Sequence, residues 1–185
     1  MILSPTAAWI RPGVAATSFL PTRWCSTPAP ASTAHWQRSG DETDRFRHGE
    51  EVSVVLDASA LLALHVDSPA RATVLDAMNG DTTWCACAVA LPEAIAAAAR
   101  LTDEPVLVRE LEDMVRHTWD FLHVVPTDRS LLDEATTLAT QQPIGVSSAM
   151  HLAAANRLPR PVRFVTFDPA QIPVALSLGF DVVSG

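Results

Sequence analysis

Three carboxylates stand where hydrolytic chemistry is possible. Val54-Val55-Leu56-Asp57 is an apolar run closed by an acid, and Phe164-Val165-Thr166-Phe167-Asp168 repeats the pattern late in the chain. Glu93 opens an Ala-rich segment just after the run 82–89. If those runs are strands, Asp57 and Asp168 lie at strand carboxyl ends and Glu93 begins the next helix. Carboxylates gathered at one sheet edge repel each other unless a hard divalent cation sits among them. Mg²⁺ or Mn²⁺ in that place would activate a water and neutralise charge developing on a phosphoryl group. An Asp just after a strand also serves as a helix cap or turn residue, and the residues alone leave both roles open.

The other chemistry-bearing residues are weaker candidates. Cys85 and Cys87 alternate along a predicted strand, and without a second pair they make a poor zinc site. The six His are scattered. His151 lies in Ala149-Met150-His151-Leu152-Ala153-Ala154-Ala155 and reads as a packed structural residue, while His117 and His123 read as surface or strand-end positions. Neither a dinucleotide fingerprint nor a Walker loop is present, and no Ser sits in a nucleophile elbow. The acids and Arg of 103–116 read as a solvated helix face.

The elements that must hold the acids follow from pattern. A short apolar run over Val52–Leu56 suits a strand buried on both faces. Ser59 is the expected cap of a helix reaching residue 66, and Ser68-Pro69 opens a second helix that Asn79-Gly80 ends. Strands are predicted over 82–89, 121–125, 163–167 and 180–183. Helices are predicted over 91–101, 104–119, 128–140, 147–158 and 169–178. Within 104–119 the expected apolar stripe is Leu107, Leu111, Met114 and Val115. Strands alternating with helices imply an α/β fold with a mostly parallel central sheet, whose ligands gather at the carboxyl ends of the strands.

Composition bounds the rest. The 185 residues suit one domain plus a tail, and 48% apolar content is enough for a core. The formal charge of −8 argues against an unaided polyanion-binding surface. It falls entirely on 52–185, because 1–51 carry five Arg and five acids. Residues 1–51 are rich in Pro, Ser, Thr and Ala without apolar periodicity. They read as a disordered tail or a mis-assigned start, with Val52, Val54 or Val55 as an alternative initiation point. Three cysteines make no disulfide scaffold, and no apolar run reaches the length of a spanning helix, so a cytoplasmic protein without membrane association is expected. The 13 basic residues are all Arg, a usage that suits a GC-rich bacterial genome.

Four segments in order carry a family resemblance. Residues 54–64 (Val-Val-Leu-Asp-Ala-Ser-Ala-Leu-Leu-Ala-Leu) resemble the opening of PIN domains, above all the VapC-type toxins of bacteria. Leu91-Pro92-Glu93-Ala94-Ile95 resembles the Glu-bearing helix of that family. Ala149 to Ala155 resembles its His-Leu-Ala helix, and Phe164 to Asp168 resembles the strand that ends in its last acid. The resemblance spans 52–185 and implies a three-layer α/β/α nuclease dependent on Mg²⁺ or Mn²⁺. It further implies RNA as substrate, a cognate antitoxin protein as partner, and a homodimer. Asp57, Glu93 and Asp168 are the implied catalytic and metal-holding acids. Ser59 is the implied hydroxyl that orients Asp57 or caps its helix, and Thr166 is expected near Asp168.

One position departs from the family. An Asp ordinarily precedes Ala-x-His-Leu-Ala, and here the residue is Ser148, with no acid between Glu134 and Asp168. A hydroxyl can ligate a hard cation but brings no charge. Two functions therefore stand side by side. One is a divalent-metal-dependent ribonuclease, the toxin of a type II toxin–antitoxin pair, with Arg71, Arg100, Arg116 and Arg157 as candidate RNA contacts. The other is a catalytically impaired PIN-like module that binds a protein partner or RNA without cutting. The helical surface of 59–80 is the expected antitoxin contact.

Overall fold

The computed structural model describes residues 52–79 and 82–185. The reading of 1–51 as tail or mis-assigned start lies outside the described residues. In chain order the elements are β1 (Val52–Leu56), α1 (Ala58–Ala63), α2 (Pro69–Met78), β2 (Thr82–Cys87), α3 (Ala90–Ala98), α4 (Pro105–Trp119), β3 (His123–Val125), α5 (Arg129–Gln141), α6 (Val146–Asn156), β4 (Val162–Val165), α7 (Gln171–Ser177) and β5 (Asp181–Val183).

The five strands form one sheet in the order β3-β2-β1-β4-β5. Every neighbouring pair is parallel, so the mostly parallel sheet of the sequence reading is wholly parallel among the described residues. The chain builds outward from β1 to β2 and β3, then crosses back to lay β4 and β5 on the other flank. The order thus reverses between β1 and β4, and in open parallel sheets such a switch point leaves a crevice beyond the carboxyl ends of the strands. Leu56 pairs with Val165 in that register. Asp57 and Asp168 therefore leave the sheet side by side at its crevice.

Alternation along each strand sends side chains to opposite faces. Val54, Leu56, Ala86 and Val165 enter one core, under α1 to α4. Val55, Cys85, Cys87, Val162 and Phe164 enter the other, under α5 to α7. Two apolar cores on the two faces of one sheet give the three layers. Cys85 and Cys87 are buried in the second core, and burial pushes both thiols up.

Local signals set the helix starts, with some revisions. Pro69 and Pro105 each open a helix, where a missing N–H costs nothing. Asp128 caps α5 by accepting from the Leu131 N–H at 2.8 Å. The cap of α1 is Asp57, not Ser59, and α1 ends at Ala63 rather than at residue 66. The strand expected over 82–89 stops at Cys87, because the next residues turn into α3. The strand expected over 121–125 begins only at His123, with Phe121 in a turn and 51% exposed. On α4 the stripe is narrower than expected: Val115 is buried and Leu111 packs on the core, while Leu107 faces out. No helix among the described residues is long and apolar enough to cross a membrane.

Candidate functional site

Asp57 is 1% exposed, and both of its oxygens are occupied. Oδ1 accepts from the Ser59 hydroxyl at 2.7 Å and the Ala60 N–H at 2.8 Å. Oδ2 accepts from the Thr166 hydroxyl at 2.6 Å and the Gln171 amide at 3.0 Å. Four donors use the full acceptor capacity of a carboxylate. Of the two roles left open by sequence, the cap is the one seen: Asp57 caps α1 by accepting from the Ala60 N–H.

The donors are themselves tied to the strand ends. Ser59 Oγ accepts the Phe167 N–H at 2.8 Å, and Thr166 Oγ1 accepts the Asp168 N–H at 3.1 Å. The end of β1 and the segment after β4 are therefore stitched together by two hydroxyls. Ser59 orients Asp57 as the resemblance implied, and Thr166 lies between the two acids.

Asp168 follows β4 and is partly exposed. Its Oδ1 accepts the Ala170 N–H at 3.0 Å, the mark of a turn residue. Its Oδ2 accepts the Ser148 hydroxyl at 3.1 Å and the Gln171 amide at 3.2 Å. A single amide nitrogen thus reaches both Asp57 and Asp168.

Glu93, in the first turn of α3, has a different partner. Its Oε2 lies 2.7 Å from Nε2 of His151, which is 2% exposed on α6. The hydrogen bond from His151 holds the Glu93 carboxyl below its ordinary range; burial works against this, and the Ser147 hydroxyl assists it. His151 Nδ1 is buried without a partner. Two successive residues of α6 therefore address two acids, Ser147 toward Glu93 and Ser148 toward Asp168. The sequence reading of His151 as a packed residue captures its burial and misses its link to an acid 58 positions away. Gln171 was missed entirely; its only signal is its place three residues after Asp168.

The Glu93–His151 pair carries a pH dependence. A carboxyl held low in the folded state contributes stability that is present above its unfolded pKa and lost as pH falls through the folded value. His151→Phe removes the main cause, so the Glu93 titration moves to higher pH and the loss of stability on acidification shrinks, while His151→Gln, which keeps a donor, restores part of both. A carboxyl chemical-shift titration of Glu93, with melts between about pH 3 and 6, reads both; an unmoved Glu93 titration in His151→Phe would contradict the assignment.

The donor types suit a hard cation: three carboxylates with hydroxyls nearby. The arrangement does not. Asp57 has no free acceptor position, Glu93 is bound to His151, and among the described residues no group of three or more His, Cys, Asp or Glu is placed to hold a metal ion. As arranged, the three acids form one bridged pair and one separate acid. Of the candidate RNA contacts, Arg157 lies 2.9 Å from Asp128, whereas Arg100 and Arg116 are exposed. Arg71 is only partly exposed, and its Nε is buried without a partner.

The family model of the PIN domain matches residues 54–175. Solved structures share the fold at low identity. FitAcB from Neisseria gonorrhoeae is 14% identical, with TM-score 0.53, covering 70% of this chain and 96% of that one. VapBC2 from Rickettsia felis, bound to a DNA fragment from its promoter, is 13% identical with TM-score 0.51, covering 72% and 98%. A toxin–antitoxin complex from Klebsiella pneumoniae is 12% identical with TM-score 0.50, covering 64% and 89%. No curated protein matches the chain.

Proposed function

The chain belongs to the PIN domain family, and from that premise we propose that it is a ribonuclease, the toxin of a bacterial toxin–antitoxin pair, hydrolysing RNA phosphodiester bonds. The observation that carries this reading is the meeting of Asp57 and Asp168 at the switch point between β1 and β4, with both acids reaching one amide. An acidic crevice at that point is where a parallel sheet presents ligands. Asp57, Glu93 and Asp168 are the proposed catalytic acids. A dependence on Mg²⁺ or Mn²⁺ is part of the proposal and requires these acids to regroup, since their present arrangement does not fit the ion. Ser59 and Thr166 hold Asp57 and the start of the Asp168 turn in fixed relation, and His151 keeps Glu93 ionised and directed.

The structural neighbours are toxin–antitoxin assemblies, which supports a cognate antitoxin as partner. Of the large apolar side chains in 59–80, Leu75 is the exposed one. A shallow apolar groove between α3 and α4, lined by Leu91, Pro92, Ile95, Ala96, Ala99 and Arg116, offers more surface. Homodimerisation and a cytoplasmic location complete the proposal.

The test is cleavage of mixed tRNA and rRNA by the full chain in Mn²⁺, beside chelator and Asp168→Asn. Specific products that fall by at least about 100-fold in both controls are expected. Product formation unchanged by Asp168→Asn would sink the reading. Ser148, a hydroxyl facing Asp168 where the family resemblance puts an acid, favours the second reading, a PIN module that binds a protein or RNA without cutting. RNA retention without cleavage would select it.

A further inference from the structure

Gln171 is the first residue of α7 and is 3% exposed. Its backbone is fixed by an N–H bond to the Asp168 carbonyl at 3.0 Å. Its amide nitrogen lies 3.0 Å from Asp57 Oδ2 and 3.2 Å from Asp168 Oδ2. An amide NH₂ carries two hydrogens, so each carboxylate can take one. The opposite orientation would aim the amide oxygen at two carboxylate oxygens, so the facing groups determine the rotamer. The arrangement has a cost, because Oε1 is buried with no partner. A fully buried amide thus spends its donors on two acids and leaves its acceptor stranded.

We propose that the Gln171 amide is a neutral bridge standing between Asp57 and Asp168 where a divalent cation would have to enter, and that it sets the cation affinity of this edge. The inference rests on the proposed function of the same acids and deepens it. A neutral donor lowers the repulsion between the two carboxylates without contributing charge. It also takes an acceptor position on Asp57 Oδ2, beside the one held by the Thr166 hydroxyl. A cation can bridge the two acids only by displacing the amide, so binding is weakened by the hydrogen bonds it must break. Gln171 is on this account a positioning residue that acts through the acids.

The experiment uses the full chain, Mn²⁺ alone and no RNA. Affinity is read by calorimetry and by the electron paramagnetic resonance of free Mn²⁺. Gln171→Ala frees one acceptor position on each of the two oxygens, which keep the Thr166 and Ser148 hydroxyls, opens space, and is expected to bind Mn²⁺ at least about tenfold more tightly than wild type. Gln171→Glu keeps the shape and adds a third carboxylate, and is expected to bind more tightly still. Asp168→Asn combined with either variant removes the gain. Equal affinity in wild type, Gln171→Ala and Gln171→Glu would overturn the proposal. So would weaker binding by Gln171→Ala, which would make the amide oxygen a ligand rather than an obstacle. If Gln171→Ala does not fold, Gln171→Glu decides alone: its melting temperature must rise with Mn²⁺ by more than that of wild type, and an equal or smaller rise refutes the bridge. Because no RNA is present, a shift in Mn²⁺ affinity without ribonuclease activity in any form upholds the bridge and rejects the nuclease, and the reverse pattern separates them the other way.

Discussion

Asp57→Ala is expected to lower the stability of the domain by about 3–5 kcal/mol, enough to show in unfolding before any assay of activity. Asp57 is 1% exposed and receives four donors. Truncation leaves the Thr166 hydroxyl proton and one of the two Gln171 amide hydrogens without an acceptor in a buried place, at roughly 1–3 kcal/mol for each unsatisfied donor. It also uncaps α1 at the Ala60 N–H, worth about 1 kcal/mol. The contributions share one network and do not add in full. Asp57→Asn keeps the shape but turns an NH₂ toward one pair of donors, so it too is expected to destabilise, by about half as much. Asp168 is partly exposed, and its Asn variant is expected to be nearly neutral for folding. Urea unfolding of the wild type and these three variants checks the order. An Asp57→Ala midpoint equal to wild type would mean that the four contacts contribute nothing net. The practical consequence is that lost cleavage in an Asp57 variant reports on folding as well as chemistry, and Asp168→Asn is the cleaner probe of the acids.

What the sequence made legible follows from the range of each interaction. Apolar runs ending in Asp57 and Asp168 announce strand ends because strand burial is written in consecutive residues. Pro69, Pro105 and Asp128 announce helix starts because capping is local. The order β3-β2-β1-β4-β5 is not local. Nothing in the run of residues says that β4 returns to the flank of β1, and it is that return which brings Asp168 beside Asp57. Ser59 was expected to cap α1 because Ser is a good cap. Asp57 takes the cap instead, and the Ser59 hydroxyl is left to tie Asp57 to Phe167. His151 was hidden by its apolar neighbours, since burial and partnership with Glu93 come from the same helix face. Gln171 was illegible in principle, because a Gln at the start of a helix carries no signature until the acids it bridges have been brought together.

Ser148→Asp is the other substitution with a large expected effect, and its sign depends on the cation. Ser148 Oγ lies 3.1 Å from Asp168 Oδ2, in the first turn of α6. An acid in a first helical turn gains about 0.3–1 kcal/mol from the helix dipole. Against that, a second carboxylate beside Asp168 meets a like charge, which costs more than the dipole returns when the charges are close and partly shielded from water. Without a divalent cation the variant is therefore expected to melt below wild type. With Mn²⁺ the sign reverses, because adjacent carboxylates become ligands of one ion. A melting temperature that climbs with Mn²⁺, and Mn²⁺ affinity raised by about 10–100-fold over wild type, are the expected results, on the order seen when groups supporting a metal site are gained or lost. Under the ribonuclease reading, cleavage rises with affinity until the site saturates. Equal cleavage by both proteins would mean that the position is dispensable for activity. Two equally inert proteins, with Mn²⁺ affinity raised in the variant, would place the lesion beyond charge at this position and shift the weight to the binding module. A wild type that already melts higher in Mn²⁺, with no further gain from Ser148→Asp, would show that the Ser148 hydroxyl is not where an acid is missing.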